Sequence, residues 1–262
     1  MPLVRWPSAA RRSADPRLQR PNLFTHTKKI DPSPLSNPCN LPAETSPTRP
    51  APGAQTMPYD PLPHLVPDQC GLLVFECQEE VIGETAEFPG LRADVVHRNM
   101  VENISRLLEA ARAAGVFVAY CNLAFRTDGL AVPNTPRYDQ KQVHPVSGPI
   151  QVSPVVSPIE PLAHEFVIDR PHAMAAFHGT PLESALRDRG VTTLIPTGVS
   201  VNIGILGTTI EAIGRGFRAV IPRDCVAGDP SSYTEDVLRY SLRNLAYISD
   251  SQTISEHWGA GE

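Results

Sequence analysis

Glu76 closes a short apolar run, Leu72-Leu73-Val74-Phe75, and Gln78 follows two residues later. A carboxylate delivered by the end of a buried strand is a candidate general acid or base, because its surroundings can tune when it holds a proton. Arg170 follows a second such run, Glu165 to Asp169. Its planar guanidinium suits a two-pronged grip on a substrate carboxylate. The third feature is the turn Gly198-Val199-Ser200-Val201-Asn202-Ile203-Gly204, which leads from a strand into a helix. The first amides of a helix lack intrahelical acceptors, so such a turn suits an anion or a developing oxyanion. Gln78, Asn122, His172 and Phe177, with Val199, Ser200, Asn202 and Ile203 of the turn, complete the candidate substrate-binding set. Each has a plainer reading. Glu76 and Arg170 also fit a buried ion pair without catalysis, Phe177 fits the core, and His172 and His178 fit solvated loops. Gly204 and Gly207 fit a close approach of helix to sheet.

These residues need a scaffold of alternating strands and helices. Strands are expected at Gly71 to Glu76, Val116 to Asn122, Glu165 to Asp169, Thr192 to Thr197, Phe217 to Pro222 and Gln252 to Glu256. Helices are expected from about Ala93 to Ala114, after a Thr180 to Glu183 capping box with Pro181 at its first position, over Ile203 to Gly214, and over Ser232 to Tyr247. Single helices between strands force parallel pairing with right-handed crossovers, so the expected fold is a three-layer α/β/α sandwich. Ligands in such folds bind beyond the carboxyl ends of the strands, where Glu76, Asn122, Arg170 and the 198–204 turn all fall.

Composition sets the outer limits. Fifteen of the 28 prolines lie in residues 1–67, and residues 1–56 carry a local charge of +5 within a chain of net charge −5. Residues 1–56 therefore read as a disordered Pro/Arg-rich tail, with Met57 as an alternative true start, and 68–262 as the folded domain. Residues 123–165 form a long Pro-rich excursion, expected to be a lid or packing arm. The folded part is acidic, at about −10, which leaves no electrostatic footprint for nucleic acid. No run approaches the ~18 apolar residues of a membrane span. Five scattered cysteines without a C-x-x-C pair suggest neither disulfides nor a thiolate zinc site, so a reducing cytoplasm is the expected location. No cofactor or metal is expected.

Leu72 to Gln78, Ala176 to Leu182 and Gly198 to Gly204 together resemble three motifs of the isochorismatase-like hydrolase superfamily, L-L-V-I-D-M-Q, A-F-x-G-T-x-L and G-V-x-x-N-x-C, in family order. The resemblance runs from about Gly71 to Trp258. It implies a six-stranded parallel sheet, a cis bond between Val199 and Ser200, a small-molecule substrate and a homo-oligomer. It also implies where catalysis sits. Amidohydrolase members use an Asp, Lys, Cys triad, and those positions here are Glu76, Arg170 and Gly204. The cysteine hydrolase fold thus lacks its cysteine, and Lys141 is the only lysine of the folded region.

Two readings follow. In the first, Glu76 supplies acid-assisted hydrolysis of a small carboxylate-bearing substrate, a vinyl ether by preference, and Arg170 clamps its carboxylate; a glycine at 204 is normal in that branch. In the second, the chain is a catalytically inactive member, a binding or scaffold protein.

Overall fold

The computed structural model describes residues 59–84, 86, 88–124, 151–171 and 174–259, all within the unit Gln55–Glu262. The expected tail, Met57, Lys141, His172 and residues 125–150 of the excursion lie outside the described residues.

The continuous apolar run at Cys70–Phe75 forms β1, buried along its whole length. It pairs in parallel with β2 (Phe117–Leu123) on one side and β4 (Thr193–Val199) on the other. β3 (Phe166–Arg170) extends the sheet beyond β2, while β5 (Arg218–Pro222) and β7 (Tyr247–Ser249) extend it beyond β4. The order is β3-β2-β1-β4-β5-β7, and a two-residue strand, β6 (Val226–Ala227), pairs with the end of β4. The sheet therefore has seven strands, six of them on the main path.

Alternation along β1 sends side chains to two separate cores. Leu72 and Val74 join the cluster containing Met100, Ile104, Leu107, Leu108, Ile254 and Trp258. Leu73 and Phe75 join the one containing Leu182, Leu186, Ile205, Ala212 and Leu242. The first set includes the apolar stripe of α3 (Met100–Ala113), which follows α1 (Glu79–Ile82) and α2 (Pro89–His97). The second includes residues of α4 (Leu182–Asp188) and α5 (Leu206–Gly214). This is the expected three-layer arrangement.

Four local expectations are corrected. Gln252 to Glu256 is not a strand but part of α7 (Ser251–Gly259), where Ile254 and Trp258, four residues apart, face one core and the Trp258 indole N–H donates to Leu65 O at 3.0 Å. The single helix expected from Ala93 to Ala114 is two, broken at Asn99 in the left-handed conformation (φ 50°). The Ser232 to Tyr247 helix shortens to α6 (Ser231–Asp236), then a π turn and a 3₁₀ turn, before β7. The capping box does not close: Thr180 Oγ1 accepts from the Leu182 amide at 3.4 Å, but Glu183 turns to Arg215 at 3.0 Å.

Candidate active site

A cavity with about 60 Å³ open to water-sized spheres lies at the carboxyl ends of β1, β2 and β4. By the measure of ~10–15 Å³ per water it holds a few waters or a small group. Its floor is Glu76, Leu123, Val199, Ser200, Ile203 and Gly204, and Val81, Phe88, Leu91 and Met174 complete the lining. Among the described residues, Glu76 is the only ionisable group in that lining.

Glu76 follows β1 directly and has φ 51°, a left-handed conformation that costs a non-glycine residue free energy and is found at sites where the surroundings impose it. Its amide still bonds to Cys121 O at 3.1 Å, so the turn is anchored while the carboxylate swings to the cavity. There Oε1 accepts from Arg170 Nη2 at 2.5 Å. The Arg170 side chain has no exposure, against 17% for Glu76. Its guanidinium also reaches Cys121 O and Ala175 O, each at 3.4 Å, and lies 4.3 Å from the Phe75 ring centroid. Arg170 is absent from the cavity lining. In this structure the guanidinium expected to clamp substrate is instead engaged with Glu76, fully buried and outside the cavity lining.

On the opposite wall, the peptide between Val199 and Ser200 is cis, as the resemblance implied. A π turn over Val201–Ile205 then runs directly into α5. Ser200 O accepts from the Ile203 and Ile205 amides, and its hydroxyl donates to Asn202 Oδ1 at 3.0 Å. The cavity thus meets the start of a helix, where free amides and the dipole favour negative charge.

Gly204 lines the cavity but has no spare room behind it. A Cβ placed there would collide with Phe75 Cε1 and lie 3.0 Å from Cδ1 and 3.1 Å from Cζ. Among the described residues, no thiol lines the cavity. Cys70, Cys77, Cys121 and Cys225 are buried, and burial pushes each thiol upward, to about 12 for Cys70 and Cys121. Neutral pH leaves such groups protonated and unreactive.

The remaining candidates divide. Val199, Ser200 and Ile203 line the cavity with Glu76 and Gly204. Gln78 does not: its amide donates to Leu123 O and Ser153 O, each at 2.9 Å, and accepts from the Leu123 amide, which consumes it as a clamp between β2 and the chain at 153. Asn122 donates to Asp169 Oδ1 at 3.0 Å across β2 and β3. Phe177 is core, stacked on Phe217 with centroids 5.9 Å apart. Asn202 meets Ser200 without joining the lining. His172 lies outside the described residues. Sequence reasoning missed Val81, Phe88, Leu91, Leu123 and Met174, whose only signal was apolar character just after strands and around Pro89.

Comparison with known proteins agrees with this architecture. Residues 70–253 match the isochorismatase domain, and the chain belongs to that family. It is 32% identical to N-carbamoylsarcosine amidase of an Arthrobacter species over 130 residues, which are 48% of this chain and 49% of the amidase. It is 30% identical to maleamate amidohydrolase of Pseudomonas putida over 138 residues, 50% of this chain and 61% of that enzyme. The chain thus spans about half to two thirds of the length of these relatives. A cysteine hydrolase from Pseudomonas syringae shares the fold with a TM-score of 0.63 at 20% identity, covering 75% of this chain and 95% of that one. An isochorismatase family protein from Desulfovibrio vulgaris does so with 0.61 at 22%, covering 72% and 97%.

Proposed function

We propose that this isochorismatase-family chain hydrolyses a small substrate by acid assistance and without a cysteine nucleophile, with a vinyl ether as the favoured substrate type. The observation that carries the reading is the Phe75 ring in the space a side chain at 204 would need, beside a cavity whose described lining has one ionisable group, Glu76. Hydrolysis of a vinyl ether requires no covalent enzyme intermediate. Glu76 in its acid form gives a proton to the enol-ether carbon, water adds to the oxocarbenium ion and returns a proton to Glu76, and the hemiketal so formed collapses to a carbonyl and an alcohol as its hydroxyl proton passes to the departing oxygen. A substrate carboxylate sits best against the wall formed by Ser200, Ile203 and Gly204, where the π turn runs into α5. Arg170 acts on Glu76, holding its carboxyl at the cavity edge.

A second reading, a binding member without turnover, draws on the direct Glu76–Arg170 pair and the small cavity. Wild type and Glu76→Gln, each verified as folded, are to be compared on a panel of vinyl ethers and small amides. The expected result is vinyl-ether turnover that falls by roughly 10²–10⁴-fold in the variant. Equal turnover in both proteins, or amide turnover abolished by thiol alkylation, overturns the proposal. No turnover of either class, with a small carboxylate still raising the melting temperature, establishes the binding reading instead.

A further inference from the structure

We infer that Phe75 decides which chemistry this site can host: its ring takes the volume that any side chain at 204 requires, and the same ring holds Arg170 against Glu76. The first half is steric. Gly204 is not among the glycines with positive φ, so backbone conformation does not demand a glycine there; lack of room does. The ring has little freedom to step aside. Phe75 has no exposure, and it packs inside the apolar cluster that contains Cys121, Ile168, Val201 and Ile205. Its backbone is equally confined, because Gly198 on the neighbouring strand has φ +98° and a Cβ there would strike Phe75 O. Two glycines thus frame one phenylalanine, Gly198 against its carbonyl and Gly204 against its ring.

The second half concerns positioning. A guanidinium 4.3 Å from a ring centroid is attracted to the ring and restricted in tilt. With donors committed to Glu76, Cys121 O and Ala175 O, Arg170 has its orientation set by the aromatic face as well as by its acceptors. Phe75 does not line the cavity, so it is a positioning residue and acts through Arg170. This half rests on the proposed role of Glu76; the steric half does not.

The steric half is tested by Gly204→Cys alone and in combination with Phe75→Val, using melting temperature and labelling by iodoacetamide. Gly204→Cys alone is expected to melt roughly 3–10 °C below wild type, as overpacking a core does. The double variant is expected to melt above that single variant and to label at one site more than Phe75→Val. A wild-type melting temperature for Gly204→Cys, or a double variant no more stable than it, overturns this half. The positioning half is tested by carbon-13 NMR titration of the Glu76 carboxyl in wild type, Phe75→Leu and Phe75→Tyr. Loss of the ring loosens the guanidinium, so Phe75→Leu is expected to titrate at higher pH than wild type, and Phe75→Tyr, which keeps the ring, like wild type. An unmoved midpoint in Phe75→Leu overturns it. Both readouts are independent of turnover, so their failure is distinct from failure of the hydrolase proposal.

Discussion

The Glu76–Arg170 pair joins a wholly buried cation to an anion at a cavity edge, and its two members are not equivalent. Replacing one charge leaves the other without its counterion in low dielectric, whereas replacing both removes the electrostatic problem. Glu76→Gln and Arg170→Met are therefore expected to be non-additive. By urea unfolding at pH 7, the double variant should lose less stability than the sum of the singles, with a coupling of about 1–3 kcal/mol. Additive losses would mean that the pair is not an energetic unit. Both residues could be singled out in the sequence because an acid and a base at strand ends are unusual residue types in a predictable place. Their relation was left open between two readings, since a clamp on substrate and an ion pair with Glu76 have the same residue types and differ only in which side of the carboxylate the arginine occupies. Phe75 was less legible still. Its ring meets a glycine far along the chain, and no local pattern announces a contact between a strand residue and a missing side chain.

At the scale of elements, strands buried on both faces were readable to within a residue or two, because continuous apolar runs such as Cys70–Phe75 admit few other structures. Breaks and ends were harder. The apolar stripe of α3 was visible in Met100, Ile104, Leu107, Leu108 and Ala111, yet the stop before it depends on one backbone angle at Asn99. Asparagine tolerates the left-handed region better than other residues that carry a Cβ, and branched side chains tolerate it worst. Asn99→Gly should leave stability within a few tenths of a kcal/mol, while Asn99→Val should lose about 1–2 kcal/mol. Chemical unfolding of the two variants checks this, and equal losses would show that the turn is held by something other than φ. The last helix was misread as a strand because its residues are few and its stripe, Ile254 and Trp258, is one turn long. Trp258 finds its acceptor on Leu65, at the far end of the described chain.

Across the whole molecule, the cavity's lining is tied to a distant segment through one carboxylate. Asp94 on α2, the helix that carries Leu91, accepts from the Gly228 amide, Ser231, Thr234 and Arg98, and Arg98 continues to Glu235. Burial by itself would raise the Asp94 carboxyl, but hydrogen bonds from Ser231, Gly228 and Thr234 and the charge of Arg98 together hold it below its ordinary value. A carboxyl lowered on folding adds stability that is complete above its unfolded value, about 3.9, and is lost as pH falls through the folded one. Asp94→Asn should therefore cost about 2–4 kcal/mol at pH 7, with the gap to wild type closing as pH drops below about 4. Urea unfolding across that range measures it, and a gap independent of pH would mean that the charge of Asp94 is not what binds the two segments. For a molecule that changes by single substitutions, the contact between Phe75 and Gly204 also imposes an order on events. A cysteine arriving first at 204 meets the ring and is penalised before it can act as a nucleophile. A smaller residue arriving first at 75 vacates the space that the thiol needs. From this chain, the road to thiol chemistry is open in one direction of travel and obstructed in the other.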